Sequence, residues 1–269
     1  MLVGKKGEDL TRTLVITGGS SGIGKEFIRQ YSNTNKNGII CNLSRSKPDL
    51  LSDFDNARHF SVDFTDAEQF AQVRKDLVAF LMEHHREGEI MLVNNSGFGS
   101  FGFFDENDGK RGSEMIDVNV KAPVLLTADL LPLLKKFGGT VVNIASTAAY
   151  QPTPYFINYG ATKAFFAHWS LGLWRENLKS GIKVITVCPG PTSTAFFANA
   201  GLKEKPDGGR GMGVESVVSS ILKAIRRNQP LIVCGAMNRL IASFAGLLPK
   251  TWITRLAYIA IEKTKLQNR

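Results

Sequence analysis

The chain has 269 residues, 43% of them hydrophobic, and a formal net charge of +9. That length and composition suit one large α/β domain or two small ones, with an apolar core that needs no covalent staple. Cys41, Cys188 and Cys234 are far apart in the chain, each in or at the end of an apolar run, so they read as buried, reduced thiols with neither disulfide nor metal spacing.

A short polar stretch at 4–9 leads directly into the first strand without the pattern of a signal peptide, which makes the cytoplasm the expected location. That strand is predicted at 13–17, and Gly18, Gly19, Ser20, Ser21, Gly22, Ile23 and Gly24 follow at once. An amphipathic helix is predicted over 22–32. Strand, glycine turn and helix form the setting that a dinucleotide site requires. In that reading Gly18 permits the tight turn, Gly22 lets backbone approach a diphosphate, and Gly24 lets helix pack on strand. Ser20 and Ser21 add hydroxyl donors, and the helix N-terminus offers unpaired N–H groups at its positive end.

Strands are next predicted at 38–43, 58–62 and 89–93, with a helix at 67–84. A helix at 112–136, a strand at 139–144, a helix at 155–180 and a strand at 183–188 follow. A helix at 214–228 and a strand at 231–234 complete the alternation. Strands that alternate with helices argue for a parallel sheet covered on both faces. No linker, repeat or low-complexity segment divides the chain, so one domain over 1–269 is expected.

After the fifth strand, Ser146 can hydrogen-bond a carbonyl oxygen held between it and Tyr159. Tyr159 and Lys163 lie four residues apart on one helical face. An ammonium beside a phenol favours the phenolate, so the Tyr159 pKa is expected below its reference of about 10, towards the range useful for acid–base work.

These features resemble the short-chain dehydrogenase/reductase family. The resemblance rests on Thr17-Gly-Gly-Ser-Ser-Gly-Ile-Gly24, Asn94-Asn-Ser-Gly97, Asn119 in Asp117-Val-Asn-Val120, the Ser146, Tyr159 and Lys163 set, and Pro189-Gly-Pro-Thr-Ser-Thr194. Ser96 departs from the alanine usual in the family. The resemblance implies a Rossmann-type, doubly wound parallel sheet of about seven strands. It implies an NADP(H)-dependent oxidoreductase that reduces a ketone or aldehyde, or oxidises the matching alcohol. Tyr159 would be the proton donor, Lys163 a partner to it and to the nicotinamide ribose, and Asn119 the anchor of a water that links Lys163 to solvent. Asp63 would meet the adenine, and Asn95, Ser96 and Gly97 the adenosine ribose. Pro189, Thr192 and Thr194 would hold the nicotinamide carboxamide. The 155–180 helix and the one before it imply a homodimer or homotetramer. A cofactor-binding sensor or scaffold without turnover is the alternative, and the intact tyrosine argues against it.

Ser44, Arg45 and Ser46 follow the second strand, where an NAD site usually carries an acid about 20 residues beyond the glycines. With no carboxylate to repel a 2′-phosphate and a guanidinium to take it, NADPH is preferred. Phe98, Phe101, Phe103 and Phe104, with Phe196, Phe197 and Leu202, suggest an apolar, lipophilic substrate. The wording around Tyr159 is most similar to the branch with 3-oxoacyl and steroid ketone reductases.

From Lys223 onward nine cations face a single acid, Glu262. Residues 236–269 read as a basic amphipathic extension with short helices at 237–246 and 250–261. A bilayer surface or a partner subunit could take their apolar faces, and packing on the protein is the expected arrangement. No nucleic-acid module is recognisable in this tail.

Overall fold

The computed structural model describes residues 12–106, 109–202 and 211–267, and the side chains of these up to Glu262. The polar 4–9 stretch, Arg269 and the side chains of Lys263 and Lys265 lie outside the described residues. Seven strands, β1 (Thr13–Thr17), β2 (Ile39–Ser44), β3 (Ala57–Ser61), β4 (Ile90–Asn94), β5 (Gly139–Ile144), β6 (Lys183–Cys188) and β7 (Leu231–Val233), form one sheet. Its order is β3-β2-β1-β4-β5-β6-β7, and every pairing is parallel. The predicted strands therefore all form, shifted by at most one residue at either end.

Alternation along the strands makes two apolar layers. Leu14 and Ile16 face Phe27 and Ile28 of α1 (Gly22–Ser32) and Val218 and Ile221 of α7 (Val214–Arg226). Val15, between them, faces the opposite side, where Leu77 of α2 (Ala67–His84) and Leu126 and Leu130 of α4 (Ala122–Phe137) pack. The cysteines Cys41, Cys188 and Cys234 are free and buried. Among the described residues no group of three or more His, Cys, Asp or Glu is arranged to hold a metal ion.

The helix expected over 112–136 forms, with a π-helical turn inside it. α3 (Gly109–Ile116) runs into a π-helical turn over Asp117–Lys121 before α4 begins. Pro123 has no N–H to offer the Asn119 carbonyl four residues earlier, and the Ala122 N–H bonds instead to Asp117 O, five residues back. α5 (Ile157–Glu176) carries Tyr159 and Lys163.

After the four-residue α6 (Phe196–Asn199) and β7, the tail forms α8 (Ala236–Leu247) and α9 (Lys250–Gln267). The expectation that their apolar faces pack on the protein is corrected. The residues buried against the body are the small Ala242, Ala245 and Ala257, and Tyr258 stacks on Tyr155, whereas Leu240, Phe244, Trp252, Leu256 and Ile259 lie on another face of each helix and are more than half exposed. Most of the large apolar side chains of the two helices therefore point outward. No helix among the described residues is long and apolar enough to cross a membrane.

Candidate active site

The strand order reverses between β1 and β4, and ligands of such sheets bind beyond the carboxyl ends of the strands at that point. A cavity of about 990 Å³ opens there. Its floor is the turn between β1 and α1. Gly18 and Gly22 adopt φ of +70° and +53°, a region that favours glycine. A Cβ on Gly24 would collide with the Gly18 carbonyl oxygen, so only glycine lets α1 start this close to the turn. Gly18 N donates to Leu43 O at 2.8 Å and Gly19 N to Asn42 Oδ1 at 2.9 Å. From β4, the N–H groups of Asn95 and Ser96 donate to Thr17 Oγ1 at 3.0 and 2.9 Å. Asn95 Nδ2 donates to the carbonyls of Thr17 and Gly18 at 3.0 and 3.1 Å. Thus the ends of β1 and β4 are stitched together beneath the cradle.

Ser20, Ser21, Gly22 and Ile23 line this floor, and Arg45, Ser46 and Asp63 line the adjacent edge. Ser44 is buried, with its hydroxyl donating to Ser46 O and accepting from Asn42 Nδ2, each at 2.8 Å. Its side chain shapes the turn after β2, and the polar group left at the rim is the exposed Arg45. Hydrogen bonds from Thr65, with a smaller pull from Arg45, hold Asp63 below the usual carboxylate range against the effect of burial. Glycine backbone open to an anion, a helix N-terminus behind it, and no carboxylate at position 44 fit a dinucleotide with an extra phosphate on its ribose.

The opposite end of the cavity gathers Ser146, Tyr159 and Lys163, from the end of β5 and the first two turns of α5. Ser146 Oγ accepts from Ala148 N at 3.1 Å, capping the short turn over Thr147–Tyr150. Lys163 is buried, and its Nζ donates to Ile144 O at 2.8 Å while standing 5.9 Å from the centre of the Tyr159 ring. Here the expected direction of the tyrosine pKa is corrected. Burial pushes the Tyr159 phenol up to about 12, with the Ser146 hydrogen bond opposing, and burial pulls the Lys163 ammonium down to about 8. Removal from water penalises both charged forms, and the ammonium is directed to a backbone carbonyl.

Asn119, in the π-helical turn, accepts from Phe98 N at 3.1 Å and donates to Phe98 O and Thr162 Oγ1, each at 3.0 Å. It lies close behind Gly97, as does Lys163 Nζ. Pro189, Thr192 and Thr194 line the cavity after β6. Their loop is tied down by bonds from Ser193 N to Met212 O and from Met212 N to Pro191 O, each at 2.9 Å.

Of the aromatic residues expected along the substrate wall, Phe98, Phe196 and Phe197 line the cavity, joined by Phe156. Phe101 instead packs beneath it on Tyr155 and Phe156, and Leu202 is buried in the same cluster. Phe103 packs on the Tyr155 ring outside the cavity and Phe104 faces outward, and that part of the expectation is corrected. Sequence reasoning missed Arg111 and Glu114 on α3 and did not single out Asn238. Ile241 and Ile261 bring both tail helices to the cavity wall. It also missed a buried polar ladder. Asn94 Nδ2 donates to Asn143 Oδ1 at 2.8 Å, Asn143 Nδ2 to Ser170 Oγ at 2.9 Å, and the Ser170 and Thr186 hydroxyls hydrogen-bond at 2.7 Å. The ladder locks α5 to three strands, and an asparagine inside an otherwise apolar β5 was its signal.

Comparison with known proteins supports the same assignment. A family model described as short chain dehydrogenase matches residues 12–205. A very-long-chain 3-oxoacyl-CoA reductase of Neurospora crassa is 29% identical over 207 residues, covering 72% of this chain and 58% of the relative. A short-chain dehydrogenase from Sphingobium yanoikuyae, solved in complex with NADPH, superposes with a TM-score of 0.74 at 27% identity, covering 88% of this chain and 94% of that one. A bulky-bulky ketone specific alcohol dehydrogenase from Comamonas testosteroni gives a TM-score of 0.70 at 26% identity, covering 87% and 92%.

Proposed function

The chain belongs to the short-chain dehydrogenase family, and on that footing we propose that it is an NADPH-dependent reductase of lipophilic ketones or aldehydes, reversible towards the matching alcohols. The observation that carries this reading is the meeting of Ser146, Tyr159 and Lys163 in the cavity floored by the 18–24 cradle.

Bound there, NADPH would supply the hydride. Gly18, Ser20, Ser21, Gly22, Ile23 and Gly24 would hold its diphosphate, and Arg45 with Ser46 its 2′-phosphate. Asp63 would take the adenine, Asn95, Ser96 and Gly97 the adenosine ribose, and Pro189, Thr192 and Thr194 the carboxamide. Ser146 and Tyr159 donate hydrogen bonds to the carbonyl oxygen as it becomes negative, and the Tyr159 proton passes to it. A phenol pushed up to about 12 keeps that proton at neutral pH, which suits an acid in the reducing direction. Lys163 would hold the nicotinamide ribose and return a proton to Tyr159, with Asn119 anchoring a water that reaches solvent.

Phe98, Phe156, Phe196, Phe197, Ile241 and Ile261 give the cavity apolar walls, in keeping with a lipophilic substrate. The similarity to a very-long-chain 3-oxoacyl-CoA reductase and to a bulky ketone enzyme supports the same class. Ile157 and Phe165 leave apolar surface exposed on α5, which supports a homodimer or homotetramer through that helix.

The test is NADPH consumption by the purified protein against ketones of increasing apolar bulk. Turnover that rises with bulk is expected. Failure to oxidise NADPH with any ketone or aldehyde would reject the reading.

A further inference from the structure

α8 and α9 each carry an outward apolar row, and both helices also reach the active-site cavity. Leu240, Phe244 and Leu247 recur on one side of α8 and are 53%, 57% and 80% exposed. Trp252, Leu256 and Ile259 do the same on α9, at 62%, 56% and 54%. Exposed singly such residues mean little, but an apolar row repeated on each of two successive helices marks an interaction surface. The segment carrying it, 236–267, has five cations (Arg239, Lys250, Arg255, Lys263 and Lys265) and one carboxylate, Glu262. On the other flank of α8, Arg239 shares a second cavity with Lys223 and Arg227. The inner sides of the same helices reach the active-site cavity through Ile241 and Ile261.

We propose that α8 and α9 dock on an anionic bilayer surface and hold the cavity mouth against it, so that lipophilic substrate enters from the lipid. An apolar helical face rimmed by cations matches acyl chains below and anionic headgroups around it. A second copy of the chain fits less well, because a two-fold contact through this face would bring the same cations against one another. The route of substrate entry rests on the reductase reading above, whereas the docking itself does not.

The experiment is co-sedimentation of the full chain with vesicles of phosphatidylcholine alone and with vesicles carrying about a third phosphatidylserine. The intact protein is expected to bind the anionic vesicles. L240E/F244E should weaken that partition by at least about a hundredfold, since two large side chains no longer enter the apolar layer. R239E/R255E should weaken it by about tenfold or more, and only for the anionic vesicles. Neither pair lines the active-site cavity, so reduction of a small water-soluble ketone serves as the control for folding and should stay unchanged. Absence of vesicle binding, or binding indifferent to L240E/F244E, overturns the proposal. So does a lipid-free dimer that L240E/F244E splits while vesicles bind neither form. Vesicle binding without any ketone reduction would leave docking intact and sink the reductase reading alone.

Discussion

Asn119 grips the backbone of Phe98 at both ends, its Oδ1 accepting from the N–H at 3.1 Å and its Nδ2 donating to the C=O at 3.0 Å. Two helical segments and the loop after β4 are thereby fixed to one another, and the third bond, to Thr162, brings in α5 one residue from Lys163. Asn119→Leu leaves the Phe98 N–H and C=O without these partners in a closed environment. The variant should lose about 1–3 kcal/mol of stability, read as a lower urea midpoint with unchanged slope.

Gly24→Ala places a methyl group fixed on the helix backbone against the Gly18 backbone carbonyl oxygen, which no side-chain rotation can relieve. The turn must open to relieve it. NADPH affinity, followed by fluorescence titration, should fall by about tenfold or more, at a stability cost of about 1–3 kcal/mol. Unchanged affinity would mean that the cradle does not receive the diphosphate.

On the proposed reading, cofactor choice turns on the edge after β2. Arg45→Ala removes the exposed guanidinium, and Ser44→Asp adds a carboxylate at a position whose hydroxyl now bonds inward to Ser46 O. The double variant should lower the ratio of kcat/KM for NADPH over NADH by about 10- to 100-fold, the worth of a charge-assisted phosphate contact. A ratio that does not move would remove Arg45 from phosphate recognition.

Much of this arrangement was legible in the sequence because it depends on local chemistry. Alternating apolar runs located all seven strands, and the glycine spacing located the cradle. The π-helical turn before α4 was not foreseen, although Pro123 carries its cause, because helical periodicity continues on both sides of it. The direction of the Tyr159 pKa was misjudged for a different reason. Spacing reported that Lys163 shares its face, but not that burial outweighs the charge or that Ile144 O receives the ammonium. Phe103 and Phe104 were misplaced because composition cannot tell which turn of a loop faces inward.

Lys163 makes the pH dependence specific. Its charge is lost as pH rises through about 8, so kcat/KM for reduction should fall with a midpoint near 8, a limb that Lys163→Met lacks. Between that value and its ordinary 10.5 the unfolded chain binds the extra proton, and this residue makes stability rise with pH across the window. Tyr159 acts in the opposite sense between 10 and about 12, where the folded chain keeps the proton and stability falls as pH rises. Urea titrations of the protein and of Lys163→Met at pH values spanning both windows check the signs.

The most direct measurement is steady-state turnover of Tyr159→Phe beside its affinity for NADPH. Loss of the hydroxyl alone should reduce kcat by about a hundredfold to ten-thousandfold, while the dissociation constant for NADPH changes little. Turnover kept within a few-fold of the parent would contradict the account, because a carbonyl oxygen in this cavity would then be taking its proton from another group.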